Sequence, residues 1–214
     1  NPIVHTYSAS ENWWSKGHGT LIDDMNGNWW VVYHAYANGY HTLGRSTLIE
    51  PIEWTSDGWC RTTQDAVWLS ENRQPEWKME LSDDFSKPEL GLQWTFWKEY
   101  APKALTFTEG EMQVKAKGHT PADGRLLLVT AMDKCYETEV EVRLGNGNTG
   151  GLLLYYNEEA YAGVSSDGKN FTAYRGEEKP LTVANKIGKN FRVKLLNQGN
   201  RLKMSASADG KSQI

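Results

Sequence analysis

Residues 13–36 read WWSKGHGTLIDDMNGNWWVVYHAY, and this stretch decides the fold class. Two apolar, aromatic-rich runs lie on either side of Asn26-Gly27, a pair that supplies the positive φ angles of a tight β-hairpin. Gly, Asn and Asp turn signals recur at short intervals along the rest of the chain. Almost no stretch has the i, i+3, i+4, i+7 spacing of an amphipathic helix. The pattern predicts an all-β protein.

The first part of the chain predicts one small antiparallel sheet. We expect strands at 20–22, 29–36 and 42–49, the third closed by Pro51, and a fourth from residue 52 to the turn at 56–58. Four such strands make a sheet the size of one β-propeller blade. A single blade buries its faces only against neighbouring blades. We therefore assign residues 1–70 to the last part of a propeller catalytic domain, with the other blades expected before Asn1.

The remaining sequence differs from the first part in amino-acid composition. Eight of the ten tryptophans fall between Trp13 and Trp77, and none follows Trp97. The polar, irregular stretch before residue 81 predicts a linker at 71–80. Residues 81–214 are predicted to form an antiparallel β-sandwich of jelly-roll type whose last strand is cut at the C-terminus. Its strands are expected at 104–108, 112–117, 125–130, 136–144, 150–156, 160–165, 171–175, 191–196 and 201–206.

Charge and cysteine usage exclude several classes of function. Lys plus Arg number 23 and Asp plus Glu 27, so the net charge is −4 and there is no basic footprint for nucleic acid. No apolar run approaches the ~20 residues of a membrane span. Cys60 and Cys135 fit neither a disulfide-dense scaffold nor a zinc spacing. We expect two buried thiols, although a disulfide bridge between them stays open.

An ordered set of motifs carries a family resemblance. Residues 13–22 with their hairpin are followed by LGRSTLIEPIEW at 43–54 and DGW at 57–59. In this order they resemble the end of the five-bladed propeller of glycoside hydrolase family 43. That family contains β-xylosidases, α-L-arabinofuranosidases and arabinanases. The segment from Leu81 is similar to the concanavalin-like sandwich attached to β-xylosidase-type members, so the resemblance covers nearly the whole chain.

The resemblance implies roles for two polar residues. His18 matches the family's Gly-His-Gly motif, whose histidine helps to hold a cation, commonly Ca²⁺, near the propeller axis. Arg45 takes the place of the arginine that reaches the substrate in a Gly-Arg-Glu-Thr strand, although Ser46 replaces the acidic residue. A neutral imidazole can orient a hydrated cation, and a guanidinium presents paired donors to sugar hydroxyls. The plainer alternatives are a hydrogen-bonded loop histidine and an ordinary strand salt bridge.

Aromatic residues near these motifs are candidates for sugar contact. Trp13 and Trp14 are expected in a loop before the Gly-His-Gly motif, where a ring could line the rim of a substrate pocket. Packing within the blade is the alternative for this pair. His34 alternates with Tyr33 and Ala35, so it should face away from them. We expect it to be a hydrogen-bonded histidine between blades.

The family's catalytic residues, two Asp and one Glu, come from earlier blades, so we expect none in this chain. The intact protein is then expected to hydrolyse xylosyl or arabinofuranosyl linkages of plant polysaccharide with inversion, using two carboxyl groups ~6.5–9.5 Å apart. The chain alone should be inert. We expect a secreted or periplasmic location, with a cytoplasmic one as the alternative.

Two other functions remain open. One is a non-catalytic, carbohydrate-binding sandwich. The other is a sandwich hydrolase using Glu137 and Glu141, which share one strand face with Glu139. For these three glutamates a solvated outer face, opposite the inward-facing Val140 and Val142, is the favoured interpretation.

Overall fold

The computed structural model describes residues 2–63 and 80–210. The chain divides into two compact units, Asn1–Lys78 and Met79–Ile214. The predicted linker at 71–80 lies outside the described residues except for residue 80. Strands dominate the described part of both units, which confirms the all-β prediction. No helix in these two ranges is long and apolar enough to cross a membrane.

The first unit holds one antiparallel sheet in which each strand pairs with the next along the chain. Its hairpin between the first two strands is closed by Asp24, whose Oδ1 accepts hydrogen bonds from the amides of Asn26 (2.8 Å) and Asn28 (2.9 Å). Gly27 supplies the positive φ angle of 80° that the turn needs. The strands are β1 (Trp13–Asp23), β2 (Trp29–Ala37), β3 (Arg45–Trp54) and β4 (Cys60–Thr62).

The prediction that Pro51 closes the third strand is wrong. β3 continues through Pro51 to Trp54, and the fourth strand begins only at Cys60. In an antiparallel ladder the N–H and C=O of one residue point toward the same neighbour. The carbonyl oxygen of Pro51 accepts from the amide of Thr63 at 3.0 Å, so its nitrogen also faces the β4 side, where the ladder ends. A missing donor is tolerated at such a place.

The two faces of the first sheet differ in burial. Val31, Tyr33 and Ala35 of β2 are buried and pack with Ile52 and Cys60. His34 lies between two of them along β2 and so faces the opposite side, as predicted. Burial, followed by the hydrogen bond to Glu50, raises the pKa of the Tyr33 phenol, so this buried group stays neutral.

The second unit contains two larger sheets and two strand pairs. The strands are β5 (Trp94–Phe96), β6 (Leu105–Thr108), β7 (Glu111–Val114), β8 (Leu127–Val129), β9 (Cys135–Arg143), β10 (Gly150–Tyr155), β11 (Tyr161–Ser166), β12 (Asn170–Arg175), β13 (Leu181–Ala184), β14 (Asn190–Gln198) and β15 (Arg201–Ser207). The sheets have the strand orders β10-β11-β12-β13 and β15-β14-β9, and the pairs are β5-β8 and β6-β7. Strands β5 and β13 lie in segments for which no strand was predicted.

The core of the second unit lies between its two larger sheets. The rings of Phe171 on β12 and Phe191 on β14 meet edge to face at 5.2 Å. Val193 of β14 is fully buried beside them, and Leu152 and Val164 pack from the opposite sheet. Burying one such side chain contributes about 1.5–3 kcal/mol. The unit is therefore a sandwich of two antiparallel sheets.

Both cysteines are free thiols. Cys60 is buried, as expected, but Cys135 is exposed, so the prediction of two buried thiols is half wrong. The reason is strand alternation: Cys135 begins β9 on the same face as Glu137, whereas Tyr136 points the other way.

Candidate functional site

Two irregularities in β1 shape the candidate site. The β1–β2 register shifts between Trp14 and Gly17 and again between Gly17 and Thr20, with one extra β1 residue at each shift. Ser15 (φ 54°) and His18 (φ 55°) occupy these stretches in the left-handed region. For a residue other than glycine this conformation costs about 1–3 kcal/mol, and such strain concentrates at functional positions.

Trp13 and Trp14 do not lie in a loop, which corrects the sequence prediction. They begin β1 and pair with Ala37 and Tyr36 of β2. Strand alternation separates them, because Trp13 packs against the buried core whereas Trp14 is on the other face and 40% exposed. Trp14 is therefore available for ligand contact on that face and Trp13 is not.

A histidine–arginine contact forms the centre of the site. Nη1 of Arg45 on β3 lies 2.7 Å from Nε2 of His34 on β2. A guanidinium can only donate, so the Nε2 atom accepts and His34 is neutral with its proton on Nδ1. The Arg45 guanidinium also lies 5.3 Å from the ring centroid of Tyr36. Two neighbouring β2 side chains thus hold Arg45 on one face of the sheet.

Further rings extend this contact in both directions. The His18 ring lies 5.7 Å from the His34 ring. On the other side, His41 of the 3-10 turn at His41–Leu43 lies 5.3 Å from Tyr36 and 5.2 Å from Trp14. We call this set the polar row: His18, His34, Arg45, Tyr36, His41 and Trp14.

Arg45 brings a positive charge to the polar row. The pKa of His34 lies below its usual range. Partial desolvation is the largest cause, and electrostatic interactions with Arg45 and then His18 add to it. His34 therefore stays neutral at neutral pH and keeps its acceptor. Arg45 uses one of its N–H groups on His34. No hydrogen bond from the other N–H groups is seen to the described residues, so they can donate to a ligand. Donors beside aromatic faces suit a polyol such as a sugar, whose hydroxyls accept while its C–H faces stack on rings.

The donor atoms near His18 decide whether it can hold a metal ion directly. Within residues 2–63 and 80–210, no group of three or more His, Cys, Asp or Glu side chains could hold a metal ion. Ca²⁺ takes six to eight oxygen ligands, whereas the nearest side chain to His18 in the polar row offers an imidazole nitrogen. The described residues therefore do not fit a direct Ca²⁺ site, and no chemical step is assigned to the ion.

The glutamates of β9 lie on an outer face, as favoured from the sequence. Glu137 pairs with Lys194 at 2.7 Å, and Arg192 bridges Glu139 (3.4 Å) and Glu141 (2.8 Å). The alternating Val140 and Val142 pack against the core. Exposed carboxylates paired with cations are a stabilising surface arrangement rather than an acid and base facing a cleft, so the sandwich-hydrolase alternative loses its support.

Sequence reasoning identified Arg45, His18 and Trp14 but missed three members of the polar row. It predicted His34 to be a hydrogen-bonded histidine between blades and gave Tyr36 and His41 no role. The two-residue alternation of β2 places His34 and Tyr36 on one face, so this signal was present in the sequence. The position of His41 depends on the 3-10 turn, which no sequence signal predicted.

Comparisons with known proteins agree with this architecture. Residues 1–60 match the profile of glycosyl hydrolases family 43, and residues 82–213, more than half of the chain, match the beta xylosidase C-terminal concanavalin A-like domain. A non-reducing end alpha-L-arabinofuranosidase of Bacteroides ovatus is 32% identical over 128 residues, covering 55% of this chain and 24% of that protein.

Solved structures show the same fold over the whole chain. The family 43 protein BlXynB of Bacillus licheniformis has a TM-score of 0.84 at 22% identity, covering 100% of this chain and 46% of the other. The xylan beta-1,4-xylosidase of Bacillus halodurans has a TM-score of 0.76 at 21% identity, with 100% and 47% covered. The chain thus spans about half the length of these structures.

The first unit is a single four-stranded antiparallel sheet, and the second is a two-sheet β-sandwich, so the chain is an all-β protein of two domains. The chain belongs to the family of the beta xylosidase C-terminal concanavalin A-like domain, and this domain follows a segment that matches glycosyl hydrolases family 43.

Proposed function

We propose that the protein to which these residues belong is a glycosidase that cleaves xylosyl or arabinofuranosyl linkages in plant polysaccharide with inversion. The observation that carries the proposal is the fixed position of Arg45 between His34 and Tyr36, at the place where the family motif puts a substrate-contacting arginine. Similar proteins carry the names xylosidase and arabinofuranosidase.

The proposed division of labour assigns binding to this chain and bond cleavage to residues outside it. Arg45 donates to sugar hydroxyls, and Trp14 stacks on an apolar sugar face at the rim. Among the described residues, none of the contacts seen for His18, His34 or Arg45 involves a carboxylate. The acid and the base are therefore proposed to come from elsewhere in the protein, which leaves the 214-residue chain inert.

The location and the metal are part of the same proposal. A polysaccharide substrate fits a secreted or periplasmic protein. If Ca²⁺ lies near His18, we propose that the imidazole contacts a water of the ion and that other residues supply the oxygen ligands.

The test compares the chain with a longer protein that contains the remaining family 43 domain. Both are assayed on p-nitrophenyl β-D-xylopyranoside and p-nitrophenyl α-L-arabinofuranoside. We expect no turnover by the chain and turnover of one substrate by the longer protein. In the longer protein, Arg45→Ala should lower kcat/KM by about tenfold or more, since losing a charged hydrogen bond costs about 1.5–3 kcal/mol.

Arg61→Ala provides the matched control, because Arg61 is an exposed arginine of the same sheet that pairs with Glu53. It should leave kcat/KM nearly unchanged. Turnover by the 214-residue chain, or equal effects of the two substitutions, contradicts the proposal.

A further inference from the structure

The sandwich carries a line of aromatic rings on the face away from its core. Trp97 follows β5, and Tyr155, Tyr161 and Tyr174 lie on β10, β11 and β12. Successive ring centroids are 5.3, 6.0 and 6.2 Å apart. We call these four residues the aromatic row. The rings therefore form one continuous series of ring contacts that reaches three neighbouring strands.

Strand alternation shows that the aromatic row is not part of the core. On β10, β11 and β12 the core residues are Leu152, Val164 and Phe171. Each tyrosine lies three positions along its strand from one of these, so it projects from the opposite face. All four rings of the row are partly exposed. This placement leaves them open to a ligand.

An ion pair between Glu158 and Lys98 lies beside Trp97 of the row. Nε1 of Trp97 donates to Oε1 of Glu158 at 3.2 Å, and Lys98 pairs with the same carboxylate at 2.5 Å. The Lys98 ammonium also lies 5.7 Å from the Trp97 ring. One carboxylate and one ammonium leave no net charge at this end of the row, which favours a neutral ligand over a polyanion or a polycation there.

One polar group of the row lacks a partner. The Tyr155 hydroxyl is buried and makes no hydrogen bond to the described residues, whereas the Tyr174 hydroxyl lies 3.0 Å from Oγ of Ser165. A buried hydroxyl without a hydrogen bond is destabilising. A ligand that brings hydroxyl groups against the rings would supply the missing acceptor after a small movement of the phenol.

We propose that the aromatic row is a second carbohydrate-binding site, which takes a neutral oligosaccharide by stacking sugar faces on its rings. Aromatic faces match the C–H faces of sugars, and the Tyr155 hydroxyl and neighbouring polar groups match their hydroxyls. All four residues of the site belong to the second unit, whereas the polar row belongs to the first. It would hold the polysaccharide without cleaving it.

The experiment titrates the 214-residue chain with xylohexaose and with 1,5-α-L-arabinohexaose, measured by calorimetry and by the NMR signal of the Trp97 indole. We expect binding of one of the two, and a shift of the indole signal. Trp97→Ala should weaken binding by about tenfold or more, because buried aromatic anchors dominate binding energies. Trp97→Phe keeps a ring and should retain most of the affinity.

Two further variants separate structural effects from binding. Tyr155→Phe removes only the unsatisfied hydroxyl, so it should leave the melting temperature unchanged or higher while lowering the affinity. A purely structural role would change only the melting temperature. Trp59→Ala, at an exposed tryptophan of the first unit, is the control for Trp97→Ala.

The same titration in Arg45→Ala distinguishes this site from the proposed active site. Binding that persists in Arg45→Ala and is lost in Trp97→Ala supports the aromatic row. Binding that is lost in Arg45→Ala but unchanged in Trp97→Ala overturns the second site and leaves the proposed function standing. If the unaltered chain binds neither oligosaccharide, the second site is also overturned.

Discussion

Nη1 of Arg45 lies 2.7 Å from Nε2 of His34, on a neighbouring strand. This contact between a cation and an imidazole is favourable only while the imidazole is neutral. The lowered pKa of His34, caused first by desolvation and then by Arg45 and His18, keeps it in that state. The position of the guanidinium therefore depends on a neighbour that the sequence motif does not include.

Replacing His34 tests this dependence. His34→Gln keeps an acceptor for Arg45, so the guanidinium should remain ordered, whereas His34→Ala should release it. The measurement is NMR of the Arg45 side chain in the 214-residue chain, where faster Nε–H exchange reports the loss. Equal exchange in both variants and in the unaltered chain would show that Tyr36 alone holds Arg45.

The β1–β2 turn should depend on Asp24. Its carboxylate accepts from the amides of Asn26 and Asn28 and from the Asn28 side chain, at 2.8–2.9 Å. Asp24→Ala should destabilise the turn, seen as faster hydrogen exchange of the Asn28 amide. Asp23→Ala, one position earlier, is the control. Unchanged exchange in Asp24→Ala would mean that Gly27 and the strand pairing close the turn unaided.

Glu158 should make the sandwich sensitive to acid. The pKa of its carboxyl group is lowered from an ordinary 4.5 to about 2. The hydrogen bond to Lys98 is the largest cause, followed by hydrogen bonds to the Glu158 backbone and to Trp97. A carboxyl group with a lowered folded-state pKa stabilises the fold above its unfolded-state pKa and loses that contribution as pH falls through the folded value.

The melting temperature should therefore fall from about pH 5 toward pH 2, and it should fall less steeply in Glu158→Gln. Glu159→Gln is the neighbouring control. If the two variants and the unaltered chain give parallel pH profiles, the Glu158 interaction contributes nothing measurable to folding.

The charged face of β9 should have little influence on function. Glu137→Gln and Glu141→Gln each remove one exposed partner of Lys194 or Arg192, so each should change the free energy of unfolding by about 0–1 kcal/mol. Urea denaturation measures this change. The aryl-glycoside assay on the same variants completes the test, since turnover by the chain that disappears in Glu137→Gln would revive the sandwich hydrolase.

Much of the architecture could be predicted from local patterns. Asn26-Gly27 located the first hairpin, and the alternation of Val140 and Val142 with three glutamates gave the correct faces of β9. Prediction failed where pairing partners override local signals. Pro51 lies inside β3 because its missing donor faces the end of the ladder, and β5 is short and pairs with the distant β8.

The candidate site was predictable only in part. The family resemblance pointed to His18 and Arg45, because the motifs that carry it are short and continuous in the sequence. Trp13 and Trp14 could not be separated, because their faces depend on the exact start and register of β1. His41 joins the row through a turn whose neighbours are set by two other strands.

The sequence by itself determined the all-β class and the hairpin at Asn26-Gly27. These depend on residue types within a few positions of one another, where steric preference and alternation act directly. Only the tertiary structure decided that His34 holds Arg45, that Trp14 rather than Trp13 shares their face, and that Trp97 meets Tyr155. Those contacts join distant strands, and register and side-chain packing fix them only when the sheets have formed.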